Sequence, residues 1–361
     1  MTDILTPAPV ADPPAARRSV AARIFGHQLV WPVLAIVLML VVDVIASPGF
    51  LSIRILDGHL YGNPIDIIRN SAPVMLVALG MTLVIATRGI DLSVGAVAAI
   101  AGAVACTRIV GAADEGAASA AILACTTALA VCVLLGVWNG FLVSVLGIQP
   151  IIATLVLMVA GRGIALLVTD GQITTPTNGT FSDLASGYVL GLPIAFLVAV
   201  GMVLLTAALT RRTALGMLIE AVGINPDASR LAGVRARTIT WTVYVFAAVC
   251  AGIAGLIIAA NTNSVNAESL GLWIELDAIL AVVIGGTALT GGRFSLAGTV
   301  VGALLIATLA RTIPSIGIPS EANYVFKALV VIVVCLLQSP RVRAAFRARL
   351  RRTSEPKAVA A

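Results

Sequence analysis

Ten apolar runs follow one another between residues 29 and 337: 29–46, 72–86, 94–107, 117–145, 151–168, 189–209, 239–260, 274–284, 295–310 and 325–337. A vertical bilayer crossing takes about 20 apolar residues, so several runs suffice alone and 117–145 has length to spare for a tilt. Backbone amides in hydrocarbon must find partners within their own segment, which leaves helices as the form these runs can take. The sequence therefore predicts an all-α, polytopic membrane helical bundle of about ten transmembrane helices.

Composition agrees. Of 361 residues, 59% are hydrophobic and 11% charged, against about 25% charged in soluble domains. Thirty-three glycines suit helices that pack closely in lipid, and Gly136-x-x-x-Gly140 and Gly298-x-x-x-Gly302 have the matching spacing. With the loops alternating in side, 17 Lys and Arg fall inside and four outside. That bias predicts an even number of spans with both termini cytoplasmic. The net charge of +6 is spread among loops and tail, where it serves topology and lipid headgroups rather than nucleic acid.

Three segments follow. Residues 1–28, rich in Pro and Ala, are expected to be a disordered cytoplasmic tail. Residues 29–338 form the transmembrane domain, and residues 339–361 a basic cytoplasmic tail. Asp43, near the end of the first run, can reach the interface, and residues 50–70 read as an external loop with a short amphipathic piece.

The longest polar interval inside the bundle is TALGMLIEAVGINPDASRLAGVRA, residues 213–236, within a cytoplasmic loop 211–237. Leu215, Leu218 and Ile219 recur at helical spacing. Gly223 and Asn225 can take the left-handed backbone that ends a helix, Pro226 and Asp227 suit a first turn, and Gly233 closes the second piece. Two short capped helices are expected, docking-competent if a partner faces them; a solvated connecting loop is the plainer reading.

No catalytic centre is evident. Lys327 and Lys357 are the only lysines, so no P-loop is present; His27 and His59 lie far from any carboxylate cluster, and no metal-ligand spacing occurs. Cys106, Cys125, Cys132, Cys250 and Cys335 lie in apolar runs without a C-x-x-C pair and read as packing residues.

Polar groups at membrane depth are the remaining candidates for a substrate pathway. In GIDLSVGA, residues 89–96, Asp91 with Ser93 can cap the following helix; direct substrate contact is the alternative. Asn139, beside Trp138, pairs an amide with an aromatic ring as sugar sites do, or bridges helices. Glu275 and Asp277 open a later span, favourably placed at a helix N-terminus. Arg162 can snorkel or pair with Asp91.

These motifs carry a resemblance. Glu220-Ala221 followed by Gly223 and Ile224 resembles the coupling loop of bacterial ATP-binding-cassette importer permeases. ALGMTLVIATRGIDLSVGAVAAIAGA, residues 78–103, and the ELDAI segment with two glycine pairs, residues 271–295, resemble the sugar-importer permeases. QPIIATLVLMVAGRGIA, GQI, TALGMLIEAVGIN and GLWIELDAILAVVIGG are most similar to the galactofuranose type; ribose and xylose permeases share the general motifs. Arg88 departs from the small residue expected before the DLSVG turn. The resemblance implies a transporter subunit of the bacterial inner membrane that is not an enzyme. It implies coupling to an ATPase through Leu215, Glu220, Ala221, Gly223 and Asn225, and a pathway near Asp91, Ser93, Asn139, Glu275 and Asp277. The implied partners are an ABC ATPase chain that binds ATP and Mg, a periplasmic sugar-binding protein, a second permease subunit and membrane lipid. The rival classes are an ion-driven secondary carrier and a membrane sensor or scaffold.

Overall fold

The computed structural model describes residues 29–56, 59–317, 319 and 322–338. The tails expected at 1–28 and 339–361 lie outside the described residues.

Thirteen helices and two small hairpins are found among the described residues. In chain order they are α1 (Val30–Ala46), β1 (Arg54–Leu56), β2 (His59–Tyr61), α2 (Asn63–Ala86), α3 (Val94–Val110), α4 (Ala118–Ser144), α5 (Pro150–Val168), α6 (Gly179–Ser186), β3 (Tyr188–Val189), β4 (Leu192–Pro193), α7 (Ile194–Arg212), α8 (Leu215–Ile224), α9 (Pro226–Leu231), α10 (Ala236–Thr262), α11 (Ile274–Ile284), α12 (Leu296–Ser315) and α13 (Asn323–Gln338). Six of them, α2, α4, α5, α7, α10 and α12, are long and apolar enough to cross a membrane.

The helices divide into an inner and an outer set. In the most apolar stretch of α2 and of α10, 72% of residues are buried, and 67% in α12, against 28% in α4 and α5 and 22% in α7. The outer helices turn Leu134, Ile152, Val156, Val159 and Leu204 outward, as lipid-facing surfaces do. The inner set meets through small residues. Gly298 and Gly302 of α12 face the Gly285 carbonyl and the Ala281 carbonyl, where an added methyl would collide. Gly136 and Gly140 likewise lie against Val245 and Trp241 of α10. Both small-x-x-x-small spacings are thus helix contacts, the packing that lipid favours.

Elements differ from the sequence reading in several places; the run 189–209, for one, becomes helical only from Ile194, its start lying in the β3–β4 hairpin. Helix α2 begins at Asn63 rather than near residue 72 and runs on through Pro73. Asn70 and Ser71 looked like loop, but Ser71 is buried and donates to the Ile68 carbonyl at 2.7 Å. Strands β1 and β2 pair antiparallel with Arg54 opposite Tyr61, and they meet the β3–β4 hairpin where His59 stacks on Tyr188 at 4.7 Å. Asp43 does not reach the interface. It is fully buried and accepts from Thr312 at 2.7 Å and Ser315 at 2.6 Å, fastening α1 to α12.

Cys106, Cys132 and Cys250 are buried free thiols, consistent with a packing role. Asn178 caps α6 by accepting from the Phe181 amide while its own amide donates to Glu115 and Ala117 carbonyls.

Candidate functional site: a vestibule at one end and a knot of loops at the other

Residues 263–273, between α10 and α11, have no helical form, yet Val265, Ala267 and Leu270 are buried. Buried backbone groups outside a helix or sheet need partners from elsewhere in the protein or from water. Arg162 on α5 does this work: its Nη1 donates to the Leu270 carbonyl at 2.6 Å and the Ala267 carbonyl at 3.2 Å. Arg162 is thus engaged with the backbone of this segment rather than with Asp91. Helix α11, of 11 residues, is about 16 Å long at 1.5 Å per residue, about half of what a bilayer's hydrocarbon core requires, and the irregular stretch 263–273 leads into it.

Beside this stretch lies a cavity of about 310 Å³, lined on its polar side by Arg69, Asn70, Asn261, Ser269 and Asp277, with Val74, Ile257 and Leu272 among its apolar walls. Its size sits at the lower end of small-ligand pockets, and its mixture of apolar wall and a few polar groups is typical of them. Asp277 is held by Lys327 of α13, whose Nζ donates to both carboxylate oxygens at 2.7 and 2.9 Å. Next to the cavity, burial raises the Tyr188 phenol, with nearby Arg69 opposing the shift; the ring stays neutral over the physiological range.

Of the five pathway candidates, Asp277 alone lines this cavity. Glu275 is buried with Oε2 lacking a hydrogen-bond partner among the described residues, and it closes on Gly95, where a methyl would meet that same oxygen. Asp91, Ser93 and Asn139 form a separate buried cluster. Asp91 Oδ1 accepts from the Ser93 amide at 2.9 Å and hydroxyl at 2.6 Å, and Asn139 of α4 donates to Ser93 Oγ at 2.8 Å. On the other side of the same turn, Thr154 of α5 accepts from the Leu92 amide and donates to the Ile90 carbonyl, both at 3.2 Å. The turn is therefore bolted to two outer helices, and Asp91 fixes the entry to α3. Trp138 is 52% exposed while Asn139 is 2% exposed; ring and amide face opposite ways and do not make one sugar subsite.

At the other end of the bundle, α8 and α9 form the expected pair. Asn225 separates them, its side chain accepting from the Asp227 and Ala228 amides at 3.1 and 3.0 Å, with Pro226 opening α9. Gly233, at φ +84°, closes it. Neither Gly223 nor Asn225 is left-handed, however; Asn225 is extended at φ −156°. Gly223 serves by size instead. It lies inside α8 against the Ala86 carbonyl at the end of α2, and any Cβ would collide there. The Ala86 carbonyl also accepts from the Gly292 amide at 2.9 Å. Leu215, Glu220 and Ala221 are half-buried along α8. Met217, Ile224 and Leu231 stand out at 68%, 59% and 92% exposure.

Sequence reasoning missed Arg69, Asn70, Asn261 and Ser269 as cavity groups, because the cavity exists only where α2, α10 and the segment leading into α11 converge. It also missed the partner of Arg88. Arg88 Nε donates to the Gly223 carbonyl at 2.5 Å, and its Nη2 to the Ile224 carbonyl.

Comparison with known proteins agrees with this architecture. Residues 63–335 match the family described as "Branched-chain amino acid transport system / permease component". The galactofuranose transporter permease protein YtfT of Escherichia coli is 50% identical over 316 residues, 86% of this chain and 91% of that protein. The fructose import permease protein FruF of Bifidobacterium longum is 42% identical over 89% of this chain and 90% of its own. The ribose import permease protein RbsC of Bacillus subtilis is 34% identical over 86% and 92%. No solved structure gives a significant match. A helical bundle with six helices fit to cross the bilayer, matched over three quarters of its length by one family, belongs to it: the chain is a multi-pass inner-membrane member of the branched-chain amino acid transport system / permease component family.

Proposed function

We propose that this chain is the membrane subunit of an ATP-binding-cassette importer for a monosaccharide, and that the sugar is galactofuranose. The observation that carries the reading is the α8–α9 pair. It is divided by the Asn225 cap, keyed into the bundle by Gly223, and turns the apolar Met217, Ile224 and Leu231 away from it. Such a surface suits a groove on a separate ATPase, which supplies ATP and Mg; Leu215, Glu220, Ala221, Gly223 and Asn225 belong to this coupling unit. The substrate assignment follows the relative that is 50% identical.

Ten membrane-embedded helices are proposed: α1 to α5, α7 and α10 to α13, with α11 completing its crossing through the irregular segment. Both termini then lie in the cytoplasm with α8–α9, and the vestibule opens toward the periplasm, where a binding protein delivers sugar. Asp277 with Arg69, Asn70, Asn261 and Ser269 receives it. Asp91, Ser93, Asn139 and Glu275 brace the helices around the path. A second permease subunit covers part of the outer apolar surface, and lipid the rest.

The test is uptake of labelled galactofuranose into proteoliposomes holding the chain with its ATPase, with binding protein outside and ATP inside. Uptake should require all three. Uptake that proceeds without ATP and collapses with an ion gradient would instead identify a secondary carrier, and uptake of ribose or fructose alone would reassign the sugar.

A further inference from the structure

We propose that Arg88 is a positioning residue for transport, a clasp through which α8 pulls as well as pushes on the buried Asp91–Ser93 turn. The inference rests on the reading of α8–α9 as the element that receives the ATPase.

Three features converge on Arg88. Its backbone is left-handed at φ 65°, a region that side-chain-bearing residues enter rarely and hold only when their surroundings fix them there. Its guanidinium donates to the carbonyls of Gly223 and Ile224. These are end carbonyls of α8, which find no amide within the helix and carry the negative pole of its dipole. Its chain neighbours lead directly into the interior. The Gly89 amide bonds the Val84 carbonyl at 2.9 Å; Ile90 and Leu92 are held by Thr154, and Asp91 and Ser93 by each other and by Asn139.

Reach separates this contact from its neighbours. Gly223 against Ala86, with Ile219 buried among Leu83, Val84 and Ala86, ties α8 to the end of α2, whereas the bonds of Arg88 reach past that helix end to the first residues of the turn. The chain leaving α8 at either end leads to α7 and, through α9, to α10. Among the described residues, the side-chain hydrogen bonds that join α8 to the α2–α3 turn come from Arg88. When α8 withdraws, Arg88 carries that movement past the end of α2 into the turn, and with it to α4 and α5. Loss of the clasp leaves the tie to α2 intact and the turn slack, so ATP is spent without moving sugar.

The experiment uses the complete importer in proteoliposomes and reads sugar imported per ATP hydrolysed, for wild type, Arg88→Gly and Arg88→Lys. Glycine accepts the left-handed backbone without steric strain and removes the clasp together with the packing of the Arg88 stem on Gly291. The ratio should fall at least about fivefold in Arg88→Gly, the lower end of ordinary coupling between sites. Arg88→Lys, with a single ammonium in place of the two-pronged fork, should fall between the two. A purely structural role would lower the amount of protein and leave the ratio unchanged. An unchanged ratio in Arg88→Gly overturns the proposal; if that variant is not recovered in membranes, an unchanged ratio in Arg88→Lys does so. A wild-type chain that retains no ATPase takes down the coupling reading and the clasp together, whereas a coupled wild type with a coupled Arg88→Gly removes the clasp alone.

Discussion

The amide of Gly292 donates to the carbonyl of Ala86 at 2.9 Å, and Gly223 is pressed against that same carbonyl. Three segments far apart in sequence therefore share one backbone oxygen, with no room for a side chain at 223. Overpacking a fitted contact costs about 1–3 kcal/mol. Gly223→Ala should slow ATP-driven uptake about tenfold, since about 1.4 kcal/mol is a factor of ten, and Gly223→Val should abolish it while membrane insertion continues. Uptake at the wild-type rate in Gly223→Val, with the amount of inserted protein measured alongside, would sink the assignment of α8 as the coupling helix.

A second prediction concerns α1. Asp43→Ala leaves the Thr312 hydroxyl without its acceptor in a buried site, a loss of about 1–3 kcal/mol. The midpoint of thermal unfolding in detergent should drop, and adding Thr312→Val should return part of the loss because the stranded hydroxyl is gone. If Asp43→Ala melts with the wild type, the buried bonds are not what holds α1 to α12.

Asp277 and Lys327 call for a cycle of variants. The pair lies at 2.7 Å with side chains 20% and 13% exposed. Removing one partner of a largely buried pair costs about 3 kcal/mol, most of it from the charge left behind. Lys327→Met and Asp277→Asn should each destabilise more than the double variant does. Additive losses in thermal unfolding would show that the two charges do not depend on each other.

The vestibule makes its own prediction. If Asn261 hydrogen-bonds the sugar, Asn261→Ala should raise KM for uptake about 2–10-fold, the range of one neutral hydrogen bond, with little change in kcat. Trp138→Ala should alter KM by less than about twofold, because its ring points away from Asn139. The reverse pattern would move the sugar site from the vestibule to α4.

Much of the bundle could be read directly from hydropathy. The run 274–284 coincides with α11, 151–168 falls one residue short of α5, and 117–145 exceeds α4 by one residue at each end. Apolar periodicity and length carry that information locally. What escaped reading depends on contacts made across long stretches of chain. Asn70 and Ser71 read as loop because their partners and burial belong to the folded bundle. Thr82 and Thr299, 2.7 Å apart and buried, give no sign in sequence that they meet. Arg88 stood out as an irregularity, but its meaning required a helix end 135 residues away. Gly223 was read as a glycine needing a special backbone angle, when it is a glycine needing no Cβ.

The brevity of α11 has an electrical consequence. Its first turn opens toward the vestibule, so the partial positive charge of its amide end would sit at the solute's doorway. Glu275 and Asp277 occupy that turn, while Arg162 reaches the irregular strand from one side and Lys327 grips Asp277 from the other. At the doorway itself Arg69 is paired with Asp66 and Asp277 with Lys327, so these four charges leave it with no net sign. On the proposed path a solute rich in hydroxyls and without charge meets neither attraction nor barrier there, whereas a carboxylate or an amine would have to break one of these pairings to pass.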